Sequence, residues 1–332
     1  MGPPISPGFY LQHTQSAKLI RSGDTIPCYR LSDRRLAMSW ASKLVKPYRV
    51  DHRSKFRLKD FDPADTSRIH SKSEAEQLLA EGINAMTELQ EKLYAQDRYG
   101  LLLIFQGMDA AGKDGAIKHV MSGVNPQGVQ VHSFKVPSSE ELNHDFLWRH
   151  MQRLPERGQI GIFNRSYYED VLVVRVHPEL LKEQKIPPHL ITRHIWKERF
   201  EDIECVERHL SRNGMVIRKF FLNLSKKEQK KRFLERLDQP AKNWKFSDAD
   251  ARERNYWDDY MDAYEDMITH TSSGEAPWYV IPADNKWYTR LVVAAAIVDT
   301  LGELKLAYPK VDPQKRKELR AARALLEGKK GG

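Results

Sequence analysis

From Leu101 to Gln106 the chain reads Leu-Leu-Leu-Ile-Phe-Gln, and from Gly107 to Asp114 it continues Gly-Met-Asp-Ala-Ala-Gly-Lys-Asp. A short, unbroken apolar run of this kind predicts a strand that is buried on both faces of a parallel sheet. The residues after Asp114 place apolar side chains at helical spacing. The stretch therefore predicts a strand, a glycine-bounded loop and a helix in direct succession, which is how an α/β fold begins.

The loop follows the pattern G-x-x-x-x-G-K, which is typical of loops that bind phosphate. Its glycines let backbone N–H groups point inward at phosphate oxygens, and the N-terminus of the next helix adds partial positive charge. Lys113 would place a cation beside the phosphoryl group under transfer. We predict a P-loop in which this lysine acts together with the phosphate-binding residues Gly107, Ala110, Ala111, Gly112 and Asp114.

The position after the lysine departs from the usual pattern. Ser or Thr stands there in most such loops, because its hydroxyl binds Mg²⁺, whereas this chain has Asp114. Another group must therefore hold the metal, and Asp109, within the loop itself, is the first candidate. We predict a Mg²⁺ site that includes the Asp109 carboxylate.

A second polar cluster follows the strand predicted at residues 159–163. The carboxyl ends of strands are where open α/β sheets bind ligands, and Asn164, Arg165 and Glu169 come directly after this strand. We predict that Arg165 neutralises phosphate charge, that Glu169 helps to hold the metal, and that Asn164 contacts phosphate. The alternative is that Glu169 and Asp170 are only the acidic first turn of a helix.

A basic segment follows the fourth predicted strand. Arg232 and Arg236 lie four residues apart and so share one face of a helix, and Lys242 and Lys245 follow in a loop. One interpretation is a solvated, charged helix. The other is a lid, over residues 225–272, that closes over phosphates, excludes water and brings two arginines to the transferring group. We favour the lid.

Other basic residues are further candidates. Lys118 lies just over one helical turn beyond the loop lysine and is predicted to bind phosphate in the same pocket. Lys135 and Arg149 would extend a basic track, and Lys286 begins the last predicted helix. For each of them, a charge on the solvated surface is the alternative.

Strands and helices alternate along the chain, which predicts βαβ units and an α/β fold of the P-loop kinase type, a parallel sheet with helices on both faces. Strands are predicted at residues 101–106, 129–136, 159–163, 215–224 and 278–282. Helices are predicted to begin near Ser73 and to cover residues 140–152, 189–212, 226–238, 248–271 and 287–304.

The pattern divides the chain into three parts. Residues 1–48 begin with several prolines and glycines and lack sustained periodicity, so we expect a flexible N-terminal extension. Residues 49–308 are expected to form one P-loop phosphotransferase domain that includes the lid. Residues 309–332 form a charged tail, which we expect to fray.

Composition points to an anionic partner. The chain has 54 Lys and Arg against 45 Asp and Glu, a net charge of +9, which suits nucleic acid, a membrane surface or a phosphate-rich substrate. Cys28 and Cys205 form no metal-binding or disulfide pattern. No apolar run approaches the ~20 residues of a membrane span, and no secretory signal is evident. We expect a cytoplasmic protein with reduced thiols.

Four segments, in this order and spacing, resemble the polyphosphate kinase 2 family. They are G-M-D-A-A-G-K-D-G-A-I from Gly107, I-F-N-R-S-Y-Y-E-D-V-L-V-V-R-V from Ile162, K-N-W-K-F-S-D-A-D from Lys242, and A-P-W-Y-V-I-P-A-D-N-K-W-Y from Ala276. The resemblance covers about residues 50–308. Because four motifs are in register, it is specific.

The resemblance implies a P-loop kinase with a helical lid, which transfers the terminal phosphoryl of inorganic polyphosphate to a nucleotide, or the reverse, with Mg²⁺ or Mn²⁺. It also implies a homodimer or homotetramer. Many members begin the second motif with Asp, whereas this chain has Asn164 and resembles the subgroup that accepts both AMP and ADP. The positions that match functional residues of the family are Asp109, Lys113, Arg165, Glu169, Arg232 and Arg236.

Two other functions remain open. An ATP-dependent nucleoside monophosphate kinase would share the loop and the lid but would not need a long basic track. A basic nucleic-acid-binding protein that uses ATP as a switch would also suit the net charge. The second alternative is disfavoured, because the sequence has no RNA-binding signature and no alternation of aromatic and basic residues of the stacking kind.

Overall fold

The computed structural model describes residues 39–51, 56–66, 69–243 and 248–328. In this part of the chain six strands form one sheet in the order β1-β6-β5-β2-β4-β3. β1 is antiparallel to β6, and every other neighbouring pair is parallel. The strands are β1 (Arg49–Val50), β2 (Gly100–Gln106), β3 (Val129–Ser133), β4 (Ile160–Asn164), β5 (Met215–Asn223) and β6 (Trp278–Pro282).

Helices cover both faces of this sheet, so the predicted α/β architecture is confirmed. Residues 39–45 form α1. The others are α2 (Lys72–Gln96), α3 (Lys113–Val120), α4 (Trp148–Met151), α5 (Val173–Val176), α6 (Ile195–Arg212), α7 (Lys226–Asp238), α8 (Pro240–Asn243), α9 (Asp248–Glu253), α10 (Trp257–Thr271), α11 (Lys286–Glu303) and α12 (Pro313–Leu326).

The apolar run of β2 lies at the centre of the sheet, and all seven of its residues are buried. Leu101, Leu103 and Phe105 pack in a core with residues of α2, α3 and α11, whereas Leu102 and Ile104 pack in a second core with residues of α6 and α10. Successive side chains of a strand point to opposite faces. Because helices cover both faces of this central strand, the run from Leu101 to Phe105 is apolar at every position.

The order of the strands places a crevice at the end of β2. The chain first adds β3 and β4 on one side of β2 and then crosses to add β5 and β6 on the other. Such a reversal opens a ligand-binding crevice at the carboxyl ends of the strands. Phe105 of β2 is in register with Asn164 of β4 and Phe220 of β5. The P-loop therefore begins between the ends of those two strands.

Several predicted helices differ in extent from the observed ones. Residues 140–152 contain only a 3₁₀ turn and the short α4, because the Asp145 carboxylate accepts the N–H of Leu147 at 2.9 Å and competes with helical hydrogen bonds. The helix predicted from residue 189 begins at Ile195. The second lid helix, predicted over residues 248–271, is divided into α9, a 3₁₀ turn and α10.

Both ends of the described chain differ from the expected division. Ala41, Leu44, Val45 and Tyr48 belong to the expected extension, yet they are buried in the core with α2 and α11. The packed part of the chain therefore begins before residue 49, while residues 1–38 lie outside the described part. The tail, expected to fray, contains the helix α12, although none of its residues is buried.

None of the described helices combines the length and the apolar character that a membrane crossing requires.

Candidate active site

The P-loop connects β2 to α3 and adopts a backbone that needs glycine at both of its ends. Gly107 has φ +151°, and a Cβ there would lie 3.0 Å from the carbonyl oxygen of Leu222. Gly112 has φ +104°. Ala110 also has a positive φ, 65°, a region that costs a non-glycine residue on the order of 1–3 kcal/mol. The loop thus has a positive φ at three of its residues.

Lys113 begins α3 and is buried, with 8% of its surface exposed. Its Nζ donates to the carbonyl oxygens of Gly107 at 2.6 Å and of Met108 at 3.4 Å. The pKa of its ammonium group is lowered to about 8. Burial is the main cause and the Arg165 cation adds to it, while nearby carboxylates oppose both. The side chain therefore lies over the loop.

Arg165 joins the P-loop to the second motif. Its Nη2 donates to Asp109 Oδ1 at 2.8 Å and its Nη1 to Glu169 Oε2 at 3.1 Å. The charge of Glu169 raises the pKa of the Arg165 guanidinium, and Asp109 adds to this effect. Arg165 has φ 66°, and its backbone N–H donates to the carbonyl oxygen of Phe105 in β2 at 3.0 Å. Three residues predicted for the site are thus brought together from segments far apart in sequence.

Asp109 and Glu169 are the two carboxylates predicted to hold a metal. Within the described ranges, no three His, Cys, Asp or Glu side chains gather as a ready-made metal site. Mg²⁺, however, is usually bound by one or two carboxylates, with phosphate oxygens and water completing the octahedron. Two carboxylates that share one guanidinium at the edge of a phosphate loop fit an ion of that kind.

Asp114 stands where a P-loop enzyme usually has a hydroxyl, and Asn164 stands where such an enzyme usually has an acid. The Asn164 amide at the end of β4 donates to Asp114 Oδ1 at 2.8 Å, and Ser133 Oγ of the neighbouring strand lies 3.4 Å from the same nitrogen. The carboxylate thus lies at the N-terminus of α3 and the amide on the strand. Both residues line the same cavity as Lys113.

Arg232 of the lid helix α7 is 4% exposed and connects this helix to the P-loop by hydrogen bonds. Its Nη1 donates to the carbonyl oxygens of Ala110 and Ala111, its Nη2 to those of Ala283 and Asp284, and its Nε to the Glu228 carboxylate, all at 2.6–3.1 Å. All five N–H groups of the guanidinium therefore have acceptors within the protein. This arginine anchors the lid to the loop.

Arg236, one turn further along α7, differs from Arg232. It is half-buried, lies over the Phe233 ring at 5.5 Å and lines the cavity. Of the two lid lysines, the Lys242 side chain and the whole of Lys245 lie outside the described part of the chain. Lys118, predicted to bind phosphate in the same pocket, is exposed and does not line the cavity.

The P-loop forms the floor of a cavity of about 1000 Å³. We call two groups of its lining residues the cationic wall and the apolar wall. The cationic wall consists of Arg236 from the lid with Lys286 and Arg290 from the first turns of α11. The apolar wall is formed by the segment after β3 and by the segment around α5, with the side chains of Val136, Leu142, Val173, Val174 and Leu180. Lys135 and Arg149 also line the cavity.

Arg290 was missed by the sequence reasoning, although a signal was present. Lys286 and Arg290 are four residues apart at the N-terminus of α11, where the helix dipole disfavours cations. Two cations in that position, directly after a parallel strand, indicate an anionic ligand. Tyr264 of α10 was also missed. Burial raises the pKa of its phenol, and the nearby Glu169 carboxylate raises it further.

Asp170, next to Glu169, is buried on the cavity side. Burial raises the pKa of its carboxyl group to about 6, opposed by the charge of Arg199. Its Oδ1 accepts from Gln184 Nε2 at 2.6 Å. Arg199 donates to the backbone oxygen of Asp170 at 2.8 Å. The Asp170 side chain is therefore more buried than that of Glu169, which is 18% exposed.

Comparison with protein families identifies this arrangement. The family model described as Polyphosphate kinase 2 matches residues 69–308, which include the loop, the second motif, the lid and the cationic wall. The chain belongs to the polyphosphate kinase 2 family. This membership confirms the expected resemblance and makes the chain an enzyme of the phosphotransferase class.

Similar proteins agree with the family. The chain is 52% identical over 283 residues to an "ADP-polyphosphate phosphotransferase" of Rhodopseudomonas palustris, which covers 85% of this chain and 98% of that protein. It is 45% identical over 274 residues to an "AMP/ADP-polyphosphate phosphotransferase" of Meiothermus ruber, with 82% and 98% covered. The crystal structure of polyphosphate kinase 2 from Arthrobacter aurescens superimposes with a TM-score of 0.76 at 42% identity, over 84% of this chain and 96% of that one.

Proposed function

We propose that the protein transfers the terminal phosphoryl group of inorganic polyphosphate to AMP and ADP, reversibly and with Mg²⁺. The observation that supports this proposal most directly is the set of residues that line the cavity. This lining combines a P-loop that has a buried lysine with the cationic wall and the apolar wall. The family membership and the names of the two relatives, which act on polyphosphate with ADP or with AMP and ADP, support this substrate pair.

The two walls suit different parts of the two substrates. Polyphosphate carries about one negative charge per phosphate, so a row of cations attracts it as it attracts a nucleic-acid backbone. We assign it to the wall of Arg236, Lys286 and Arg290. A nucleoside is largely apolar and flat, and pockets for such groups are mostly hydrophobic. We assign it to the wall around Val173 and Leu180.

Transfer needs positioning and charge neutralisation rather than a base. A phosphate oxygen of the acceptor is already ionised near neutral pH, so it attacks the terminal phosphorus of polyphosphate without losing a proton. The new P–O bond forms as the bond to the bridging oxygen breaks, and the shortened polyphosphate keeps the electron pair. Catalysis then depends on holding the reacting atoms in line and on cations around the moving group.

Each residue of the floor has a role in this reaction. Lys113 and the N–H groups of the P-loop neutralise the transferring phosphoryl group, and Arg165 does so from the second motif. Asp109 and Glu169 would hold Mg²⁺, which when bound neutralises phosphate oxygens. Asn164 keeps the Asp114 carboxylate in one orientation at the N-terminus of α3. Arg232 positions the lid, and Arg236 contacts polyphosphate.

The test is phosphoryl transfer without ATP. Purified protein is incubated with Mg²⁺, polyphosphate and either AMP or ADP, and the nucleotides are separated by chromatography. We expect ADP from AMP and ATP from ADP. ATP from ADP alone would exclude AMP as an acceptor. No product with polyphosphate, but ADP once ATP is added to AMP, would replace the proposal with an ATP-dependent nucleoside monophosphate kinase.

A further inference from the structure

The middle of β5 carries a lysine that has no contact with solvent. Lys219 is 0% exposed, in a strand that is otherwise largely apolar. Its Nζ donates to Glu207 Oε2 of α6 at 2.5 Å, to the Tyr168 hydroxyl at 3.0 Å and to the carbonyl oxygen of Thr271 at 2.7 Å. The three hydrogens of its ammonium group therefore all have acceptors.

The second oxygen of the Glu207 carboxylate binds two tyrosines. Its Oε1 accepts from the Tyr167 hydroxyl at 2.9 Å and from the Tyr168 hydroxyl at 2.7 Å. The Glu207 side chain is 3% exposed, and both tyrosines are 0% exposed. We call these four side chains, Tyr167, Tyr168, Glu207 and Lys219, the buried network. None of them lines the cavity.

The buried network reaches the active site through the main chain of the second motif. Tyr167 and Tyr168 stand between Arg165, which contacts both acids of the floor, and Glu169, which is one of those acids. The same network binds the end of α10, the helix that closes the lid segment, through Thr271. It therefore fixes the turn that carries Arg165 and Glu169 relative to β5 and to the lid.

Stability alone does not explain a buried ion pair at this place. Removing two charges from water costs several kcal/mol per ion, and apolar side chains of similar volume are often equally stable or more so. Apolar side chains, however, cannot form the directional hydrogen bonds that fix the orientation of a neighbouring side chain. Three hydrogen bonds, two to Glu207 and one from Lys219, orient the two adjacent tyrosine rings. These tyrosines follow Arg165, which has a positive φ, by two and three residues.

We propose that Glu207 and Lys219 are positioning residues, which act through Tyr167 and Tyr168 to hold Arg165 and Glu169 in the geometry that phosphoryl transfer requires. The inference rests on the proposed function and deepens it. It assigns a role in the reaction to two side chains that touch neither substrate nor metal.

The test is the double variant Glu207→Gln with Lys219→Met, which removes both charges, keeps side chains of similar length and leaves no lone charge in the core. We expect it to fold, with kcat lower by at least about tenfold, since small misplacements of catalytic groups are costly. The KM for polyphosphate should change by less than about twofold, because the cationic wall is untouched. Tyr168→Phe, which removes one hydroxyl, should reduce kcat in the same direction.

Arg218→Met is the matched control. Arg218 precedes Lys219 on β5 and points to the opposite face of the sheet, where it donates to Thr300 at 2.9 Å and to Glu303 at 3.1 Å. It is also buried, at 6% exposure, but it makes no contact with the second motif. We expect this variant to lose stability and to keep the kcat of the wild type.

Hydrogen–deuterium exchange provides a readout that does not depend on turnover. Exchange of residues 164–172 should accelerate in the double variant and remain unchanged in Arg218→Met. A double variant with wild-type kcat and wild-type exchange in this segment would overturn the positioning role. If the wild type transferred no phosphoryl group, the proposed function would fail, while the exchange data would still decide whether the buried network holds the turn.

Discussion

At the scale of single residues, the floor of the site depends on one cation, Lys113, that is held in unfavourable surroundings. Lys113 is buried beside Arg165, and both effects lower its pKa. Arg165 has a left-handed backbone conformation and lies between Asp109 and Glu169. Such strain and repulsion are common where a protein prepares a site for a ligand. A phosphate bound over the loop would relieve the repulsion between the two cations.

Lys113→Ala should therefore abolish most turnover without unfolding the protein. We expect kcat/KM to fall by roughly a hundredfold to a thousandfold, the usual loss when one charge-stabilising group is removed. Circular dichroism should show an unchanged fold. A variant that keeps most of its activity would exclude Lys113 as the phosphate-binding lysine.

The stability of the free protein should rise with pH between about 8 and 10.5 because of Lys113. In this range the unfolded chain still holds the proton and the folded chain has lost it, so unfolding takes up a proton and becomes less favourable as pH rises. Lys113→Met should remove this slope and be more stable than the wild type at pH 7, by on the order of 3 kcal/mol. Urea unfolding at pH 7 and pH 10 measures both effects. Equal slopes in the two proteins would contradict the lowered pKa.

At the scale of elements, the lid helix α7 carries one arginine that anchors it to the P-loop and a second that we propose contacts polyphosphate. Both arginines line the cavity, but Arg232 is buried and donates to backbone oxygens of the P-loop and of the segment after β6, whereas Arg236, one turn later, is half-buried. The same side chain type thus serves two purposes on one helix. The difference follows from which carbonyl oxygens lie within reach, and this is a tertiary property.

Arg232→Met and Arg236→Met should separate these purposes. Loss of Arg232 leaves several carbonyl oxygens without donors, so the free energy of unfolding should fall by about 3 kcal/mol. Loss of Arg236 should leave stability unchanged and raise the KM for polyphosphate by roughly threefold to tenfold. Thermal unfolding and steady-state kinetics on both variants provide the comparison. Equal effects on stability would argue against an anchoring role for Arg232.

The first turns of α11 should control how strongly polyphosphate binding depends on salt. In Lys286→Met and Arg290→Met, the KM for polyphosphate should rise, and the slope of log KM against log salt should become shallower by about one unit for each phosphate that is no longer neutralised. Lys317→Met, an exposed lysine on α12, is the control and should keep the wild-type slope. Unchanged slopes in the α11 variants would remove the cationic wall from the binding of polyphosphate.

Much of this element-level picture could be predicted from the sequence, for identifiable reasons. β2 and the P-loop are encoded locally, by an apolar run and by glycines at two of the three loop positions with positive φ. The pairing of Arg165 with Asp109 was not predicted, because it depends on the order of β2 and β4 in the sheet. Likewise, the continuous helix predicted at residues 140–152 was wrong, since one carboxylate–amide hydrogen bond at Asp145 outweighs helical periodicity there.

At the scale of the whole molecule, the packed unit is larger than its motifs indicate. The family model begins at residue 69, yet α1 and the turn after it pack against α11 far along the chain. Tyr48, at the end of this segment, contacts the hydroxyl of Tyr288 in α11 at 2.8 Å. Lys286 and Arg290 of the cationic wall thus lie on α11, and α11 packs against the first residues of the described chain.

Leu44→Ala tests that support. Leu44 is 5% exposed in the core, so its truncation should lower the free energy of unfolding by about 2–5 kcal/mol. A loss below about 0.5 kcal/mol, the range usual for surface positions, would mean that this segment is not part of the packed unit. Thermal or urea unfolding of the full chain is sufficient for the measurement.

The apolar wall has a consequence for acceptors of different length. If the enzyme accepts both AMP and ADP, as proposed, each must bring its last phosphate to the same point above Lys113, because the P-loop continues from a strand that is buried at every residue. The nucleoside must therefore shift along its wall by the length of one phosphate. Valine and leucine side chains impose no directional bonds, so they offer nearly the same contact at either position. Under the proposed function, the valine and leucine side chains of this wall would let the nucleoside take either position, so that one enzyme accepts acceptors of two lengths.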